Sequence, residues 1–136
     1  MDGFPFVHRE HVRFRDLDAM GHVNNAVFAT YVEQARVEYL SWLGVLDRAV
    51  YSAGAESMIL ARLELDFRAP GEADGEVAIG VRPVRMGTKS FDLEYRIEQE
   101  GNVIADARTV LVAYDYERSE SVEVPVAWRD ALQVPA

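Results

Sequence analysis

Apolar and polar residues alternate one by one from Met58 to Arg68, with Ile59, Ala61, Leu63, Leu65 and Phe67 on one side and Leu60, Arg62, Glu64, Asp66 and Arg68 on the other. A period of two predicts a β-strand, and Ala69-Pro70-Gly71 terminates it. Val77, Ile79 and Val81 continue the pattern in a strand that ends near Arg85, with Met86-Gly87-Thr88 as its turn. Phe91, Leu93, Tyr95 and Ile97 alternate with Asp92, Glu94, Arg96 and Glu98 in the clearest strand of the chain. Glu100-Gly101-Asn102 then forms a hairpin turn. Val103 to Tyr116 is a long last strand, and its apolar run Val110 to Tyr114 predicts burial on both faces.

The period is different nearer the amino terminus. Phe28, Tyr31, Val32, Ala35, Tyr39, Trp42 and Leu43 recur at three- and four-residue spacings, the mark of a helix with one apolar stripe. Gly44 is placed to end that helix in a left-handed conformation, and Val45 to Glu56 is expected to be a short helical turn and a loop. Before the helix, Val7 to Arg15 is a half-exposed strand candidate, with Val12 and Phe14 on one face and Arg9, His11, Arg13 and Arg15 on the other. Pro125 to Leu132 is a candidate short terminal helix. Strand, long helix and four strands make an α+β layer arrangement, not the βαβ alternation of a doubly wound fold.

Composition narrows the function. The chain has 136 residues, 49% of them hydrophobic, with no repeat or linker, which predicts a single domain over 1–136. A net charge of −9 gives no general attraction to nucleic acid or anionic lipid, so neither is an expected partner, and an anionic substrate needs a local basic patch. The absence of cysteine excludes disulfides and thiol nucleophiles and suits the cytoplasm. Met1 to His8 lacks the pattern of a secretory signal, and no apolar stretch has the length of a membrane span.

The familiar nucleotide loops, serine elbows and zinc-protease motifs are missing. His8 and His11 fall on opposite faces of a strand, so with His22 they form no ligand set, and neither a metal nor a cofactor is expected. What remains is Arg15-Asp16-Leu17-Asp18-Ala19-Met20-Gly21-His22-Val23-Asn24-Asn25, immediately before the long helix. The first N–H groups of a helix have no intrahelical partner and can hold a developing oxyanion. A carbonyl oxygen on those amides, with Asp18 below its carbon, would be open to attack, which is the chemistry of acyl transfer. Asp18 could instead serve only as a cap. His22 has two open readings, a structural hydrogen bond or a substrate contact, and Asn24 reads as a helix cap. Asp16 reads as a solvated strand-end carboxylate or a partner of Arg13 or Arg15, and Glu33 as an exposed helix residue.

This motif and the aromatic-rich helix after it resemble the hotdog-fold thioesterases of the 4-hydroxybenzoyl-CoA type and their long-chain acyl-CoA and carrier-protein relatives. The likeness runs from about Val7 to about Pro125 and includes Arg68-Ala69-Pro70 and Met86-Gly87-Thr88-Lys89-Ser90-Phe91. It implies a five-stranded antiparallel sheet wrapped around one long central helix. It also implies Asp18 as general base or nucleophile, the backbone N–H of Asn25 as oxyanion donor, and His22 as a group positioning thioester or water. In this family the third turn lies near the CoA phosphates, which implicates Arg85, Lys89 and Ser90, with Arg82 nearby. The benzoyl-type enzymes lack His-Val-Asn-Asn, so the resemblance favours an aliphatic acyl chain.

The expected activity is hydrolysis of an acyl-CoA to free acid and CoA. A thiolate with a parent pKa of about 8.5 departs without a strong acid, so one carboxylate and oxyanion donors suffice. The alternatives are a carrier-protein thioesterase, disfavoured by the charge of −9, and an acyl-CoA-binding module without turnover. Open sheet edges and the family's habit predict a homodimer or a homotetramer built as a dimer of dimers.

Overall fold

The computed structural model describes residues 1–46 and 56–134. The chain forms β1 (Phe6–His11), a single 3-10 turn (Phe14–Asp16), α1 (Asn25–Trp42) and β2 (Glu56–Phe67). It continues with β3 (Glu76–Met86), β4 (Ser90–Gln99), β5 (Asn102–Asp115), β6 (Glu120–Ser121) and α2 (Val126–Leu132). The strands form one sheet in the order β1-β3-β4-β5-β2, with β6 attached to β5. β1 runs antiparallel to β3 with Phe6 opposite Val81 and His11 opposite Glu76. The α+β arrangement is as expected; the addition is β6, whose two residues pair antiparallel with Tyr114 and Asp115 and make the sheet six-stranded.

The described residues cluster into two compact units. The first comprises Met1–Tyr39, Leu65–Arg82 and Tyr95–Ala107, and the second the described parts of Leu40–Glu64, Pro83–Glu94 and Arg108–Ala136. In the first, α1 buries Phe28, Tyr31, Val32, Ala35 and Tyr39, the predicted stripe. Tyr39 meets Phe6 of β1 with ring centroids 5.5 Å apart, and Phe28 meets Phe67 of β2 edge-on at 5.3 Å. Full burial of each such ring is worth about 1.5–3 kcal/mol, which far exceeds what helix propensity gives. Tyr39 has its phenol pushed up to about 12 by burial, with Tyr95 adding to the effect, so it stays neutral.

In the second unit, the helix ends as the sequence predicts. Gly44 has φ +77, its N–H reaches the Ser41 carbonyl at 3.1 Å, and Val45 and Leu46 both donate to the Leu40 carbonyl. Leu40 is buried there, whereas Trp42 is 62% exposed and does not extend the stripe. Most of the loop expected between Val45 and Glu56 lies outside the described residues.

Two further expectations are corrected. The first strand stops at His11, and Val12 and Phe14 do not share a face: Val12 is buried, while Phe14 is 93% exposed. The 3-10 turn breaks the alternation because Asp16 draws the chain back, its N–H donating to the Arg13 carbonyl at 2.9 Å and its carboxylate accepting the Arg13 N–H. Across Val110 to Tyr114 only Leu111 and Ala113 are buried, so the last strand has one buried face there and one half-buried face.

Candidate active site

Asp18 stands in the turn between the 3-10 segment and α1, a turn pinched at its base by a bridge between Leu17 and Val23. Its Oδ1 accepts the backbone N–H groups of Met20 at 2.9 Å and His22 at 3.2 Å. Its own N–H donates to the His22 carbonyl at 2.7 Å, and its carbonyl accepts from Gly21 at 3.0 Å. The second carboxylate oxygen has no partner among the described residues, and the residue is exposed. One oxygen is therefore anchored and the other presented. Asn24 caps α1 as expected, its Oδ1 accepting the Ala26 N–H at 2.8 Å. Asn25 is the first residue of α1, so its N–H has no intrahelical acceptor and lies at the positive end of the helix dipole.

The same turn is held from the sheet side. His22 bridges to Glu72, its ring Nε2 lies 4.0 Å from Glu72 Oε2, and the Val23 N–H donates to the Gly71 carbonyl at 2.8 Å. A Cβ at position 71 would come within 2.7 Å of the Val23 side chain, so only glycine allows this approach. Gln99, at the end of β4, grips the neighbouring residue with both ends of its amide, accepting the Glu72 N–H at 2.7 Å and donating to the Glu72 carbonyl at 3.0 Å.

Of the two readings of Asp16, the solvated carboxylate fails and the partnership with Arg13 holds, through the Arg13 backbone and not its guanidinium. Asp16 is 8% exposed, and its Oδ2 accepts the Arg13 backbone N–H at 2.9 Å and the Tyr31 hydroxyl at 2.8 Å. Burial, and then the adjoining Asp16 carboxylate, push the Tyr31 phenol well above its usual range, so it remains a donor. A cavity of about 420 Å3 opens beside this pair, lined also by Glu10, Arg13, Arg15, Val27, Thr30 and Gln34. Glu33 is exposed, as expected, with a 4.0 Å approach to Arg36.

The basic turn belongs to the second unit, whereas Asp18, His22 and Asn25 belong to the first. Arg85 is largely committed there: Nε donates to Asp92 Oδ1 at 2.9 Å and Nη2 to Ser90 Oγ at 2.7 Å. Arg108 holds the other oxygen of Asp92 with two bonds of 3.1 and 2.8 Å. Burial pushes the Asp92 carboxyl up, but hydrogen bonds from the two arginines outweigh it and hold the carboxyl below its usual range. The Lys89 side chain is exposed, and Arg129 donates to the carbonyls of Gly87 and Thr88 at 2.7 and 3.0 Å. Arg82 belongs to the first unit, its guanidinium 4.6 Å above the Phe4 ring.

An exposed carboxylate with one oxygen free among the described residues, in the turn that leads into a helix start, is a group able to do acyl-transfer chemistry. The likeness to known proteins points the same way. A family profile described as the thioesterase-like superfamily matches residues 12–132. The chain belongs to the thioesterase-like superfamily. Within this superfamily, a thioesterase from Thermus thermophilus solved with coenzyme A and Zn is 36% identical, with a TM-score of 0.84 over 98% of this chain and 95% of that one. A 1,4-dihydroxy-2-naphthoyl-CoA hydrolase of Synechococcus elongatus is 24% identical over 92% of this chain and 93% of its own. A gentisyl-coenzyme A thioesterase, 24% identical, shares the fold with a TM-score of 0.85 over 93% of this chain and 99% of that one. The expected hotdog fold and assignment to the thioester hydrolases hold at the level of this superfamily.

Several supporting residues of this superfamily member lie outside the motif that marks the site in the sequence. Gln99 carried a signal, since it falls in phase with Phe91, Leu93, Tyr95 and Ile97 and is a polar residue at a buried position. Tyr31 carried another, a hydroxyl in an apolar stripe that needs a partner once buried. Glu72 and Arg108 carried none, because their roles arise from pairing across the chain.

Proposed function

We propose that the protein hydrolyses an acyl-CoA thioester to the free acid and CoA within a single 1–136 domain. The observation that carries this reading is the Asp18 carboxylate, anchored through one oxygen and open at the other, in the turn that leads to the first N–H of α1. The thioester carbonyl oxygen rests on the Asn25 N–H, which stabilises negative charge as the carbon becomes tetrahedral. Asp18 either takes a proton from the attacking water or itself attacks to form a mixed anhydride that water then opens. In both routes the C–S bond breaks, CoA leaves as a thiolate, and one water is consumed. His22, set in the same turn by its bonds to Asp18, lines the approach to the thioester. Lys89, Arg85 and Ser90 are the residues that meet the phosphates of CoA in this reading.

The active form is a homodimer or homotetramer, because β1 and β2 end the five-strand order as edges unpaired among the described residues. His22-Val23-Asn24-Asn25 favours an aliphatic acyl group, whereas the substrates named for the relatives are hydroxylated aromatic acyl-CoAs. The test is thiol release from short, long-chain, benzoyl and dihydroxynaphthoyl-CoA, with wild type beside Asp18→Asn. Loss of the carboxylate is expected to cost at least ~100-fold in kcat with folding intact. Full turnover by Asp18→Asn refutes the assignment of Asp18, and no release from any member refutes acyl-CoA hydrolysis.

A further inference from the structure

We propose that Asp16 and Tyr31 are a positioning pair that sets the Asp18 carboxylate against the first N–H of α1. Its bearing on turnover rests on the thioesterase reading above. Four bonds converge on Asp16: its Oδ2 takes the Arg13 N–H and the Tyr31 hydroxyl, its N–H reaches the Arg13 carbonyl, and its carbonyl takes the Asn24 N–H at 2.8 Å. Asp18 follows Asp16 by two residues, and Asn25 follows Asn24 by one. The same buried residue thus fixes both ends of the reacting turn, and Tyr31, two turns into α1, ties that residue to the helix whose first amide is the oxyanion donor.

A buried carboxylate is costly without donors, so Asp16 keeps this geometry only while the phenol and the Arg13 amide satisfy it. Tyr31 in turn cannot lose its proton at ordinary pH, since burial and the neighbouring carboxylate oppose ionisation. The pair behaves as a stiff strut. Removing the hydroxyl leaves Oδ2 with one donor and invites water from the adjoining cavity. The turn is then free to shift relative to α1, and misplacement of about 1 Å can cost roughly 100-fold in rate.

The test uses Tyr31→Phe, which keeps the ring, and Asp16→Asn, which keeps an acceptor oxygen and guards against failure of the first variant to fold. Amide hydrogen exchange is followed at Met20, His22 and Asn24, with Ile97 and Ala105 as references, alongside kcat and KM and with Asp18→Asn as the inactive control. The expected result for Tyr31→Phe is faster exchange at the three turn amides alone and a kcat lower by roughly 10- to 100-fold with KM nearly unchanged. Asp16→Asn is expected to show the same pattern more mildly. Unchanged exchange at the turn, equal acceleration at the reference amides, or full kcat despite a loosened turn each overturns the proposal. A wild-type protein inert towards every acyl-CoA overturns the thioesterase reading instead, and the exchange pattern alone then decides whether the strut exists.

Discussion

Three aspartates do three different jobs because their surroundings differ. Asp16 is buried and accepts neutral donors, Asp18 is exposed with one oxygen free, and Asp92, 4% exposed, lies between Arg85 and Arg108. Breaking the last cluster from its centre leaves two guanidinium groups without their shared partner. Asp92→Asn is expected to cost about 2–4 kcal/mol, read from urea unfolding at neutral pH. The pH dependence follows from the same arrangement. The folded carboxyl is held below its usual range, so its contribution is present above the unfolded value of about 3.9 and is lost as pH falls through the lower folded value. Unfolding midpoints should therefore decline below about pH 4, and the decline should shrink in Asp92→Asn. Equal acid sensitivity in both proteins would show that other carboxylates govern it.

Elements with a strict period were legible in the sequence, and those shaped by side-chain bonds to backbone were not. β4 could be read from Phe91, Leu93, Tyr95 and Ile97, all of them buried, and α1 from Phe28 to Tyr39. Periodicity alone predicts a longer β1, because Val12 and Phe14 continue the alternation past the strand's end at His11, where the turn made by Asp16 follows. Trp42 has the phase of the stripe, but the helix ends there and Leu40 is buried in its last turn. Gln99 shows how an element reaches beyond itself: the last residue of β4 fixes the segment that receives the Val23 N–H. Gln99→Leu leaves the Glu72 N–H and carbonyl without these partners and is expected to lower stability by about 2–3 kcal/mol. It should also loosen His22, visible as faster exchange of the Val23 amide. A neutral effect on both would show that water replaces the amide.

For the whole molecule, composition set limits that the site respects. The proposed catalytic carboxylate was legible, since Asp18 and Asn25 fall in one motif, but the groups that hold the neighbouring backbone, Tyr31 through Asp16 and Gln99 through Glu72, come from distant positions. The edges at β1 and β2 carry the quaternary prediction: light scattering should give at least twice the chain mass of 15.3 kDa, and a stable monomer at micromolar concentration would count against edge pairing. No described helix is long and apolar enough to cross a membrane. The two tryptophans occupy contrasting places. Trp42 is largely open to solvent, while Trp128 packs edge-on against Phe91 at 6.4 Å, next in sequence to the Arg129 that holds Gly87 and Thr88. The molecule thus carries its own optical reporter: acrylamide should quench the red-shifted emission of Trp42 first, and the residual blue fluorescence of Trp128 then follows whatever settles on the basic turn, with no dye attached.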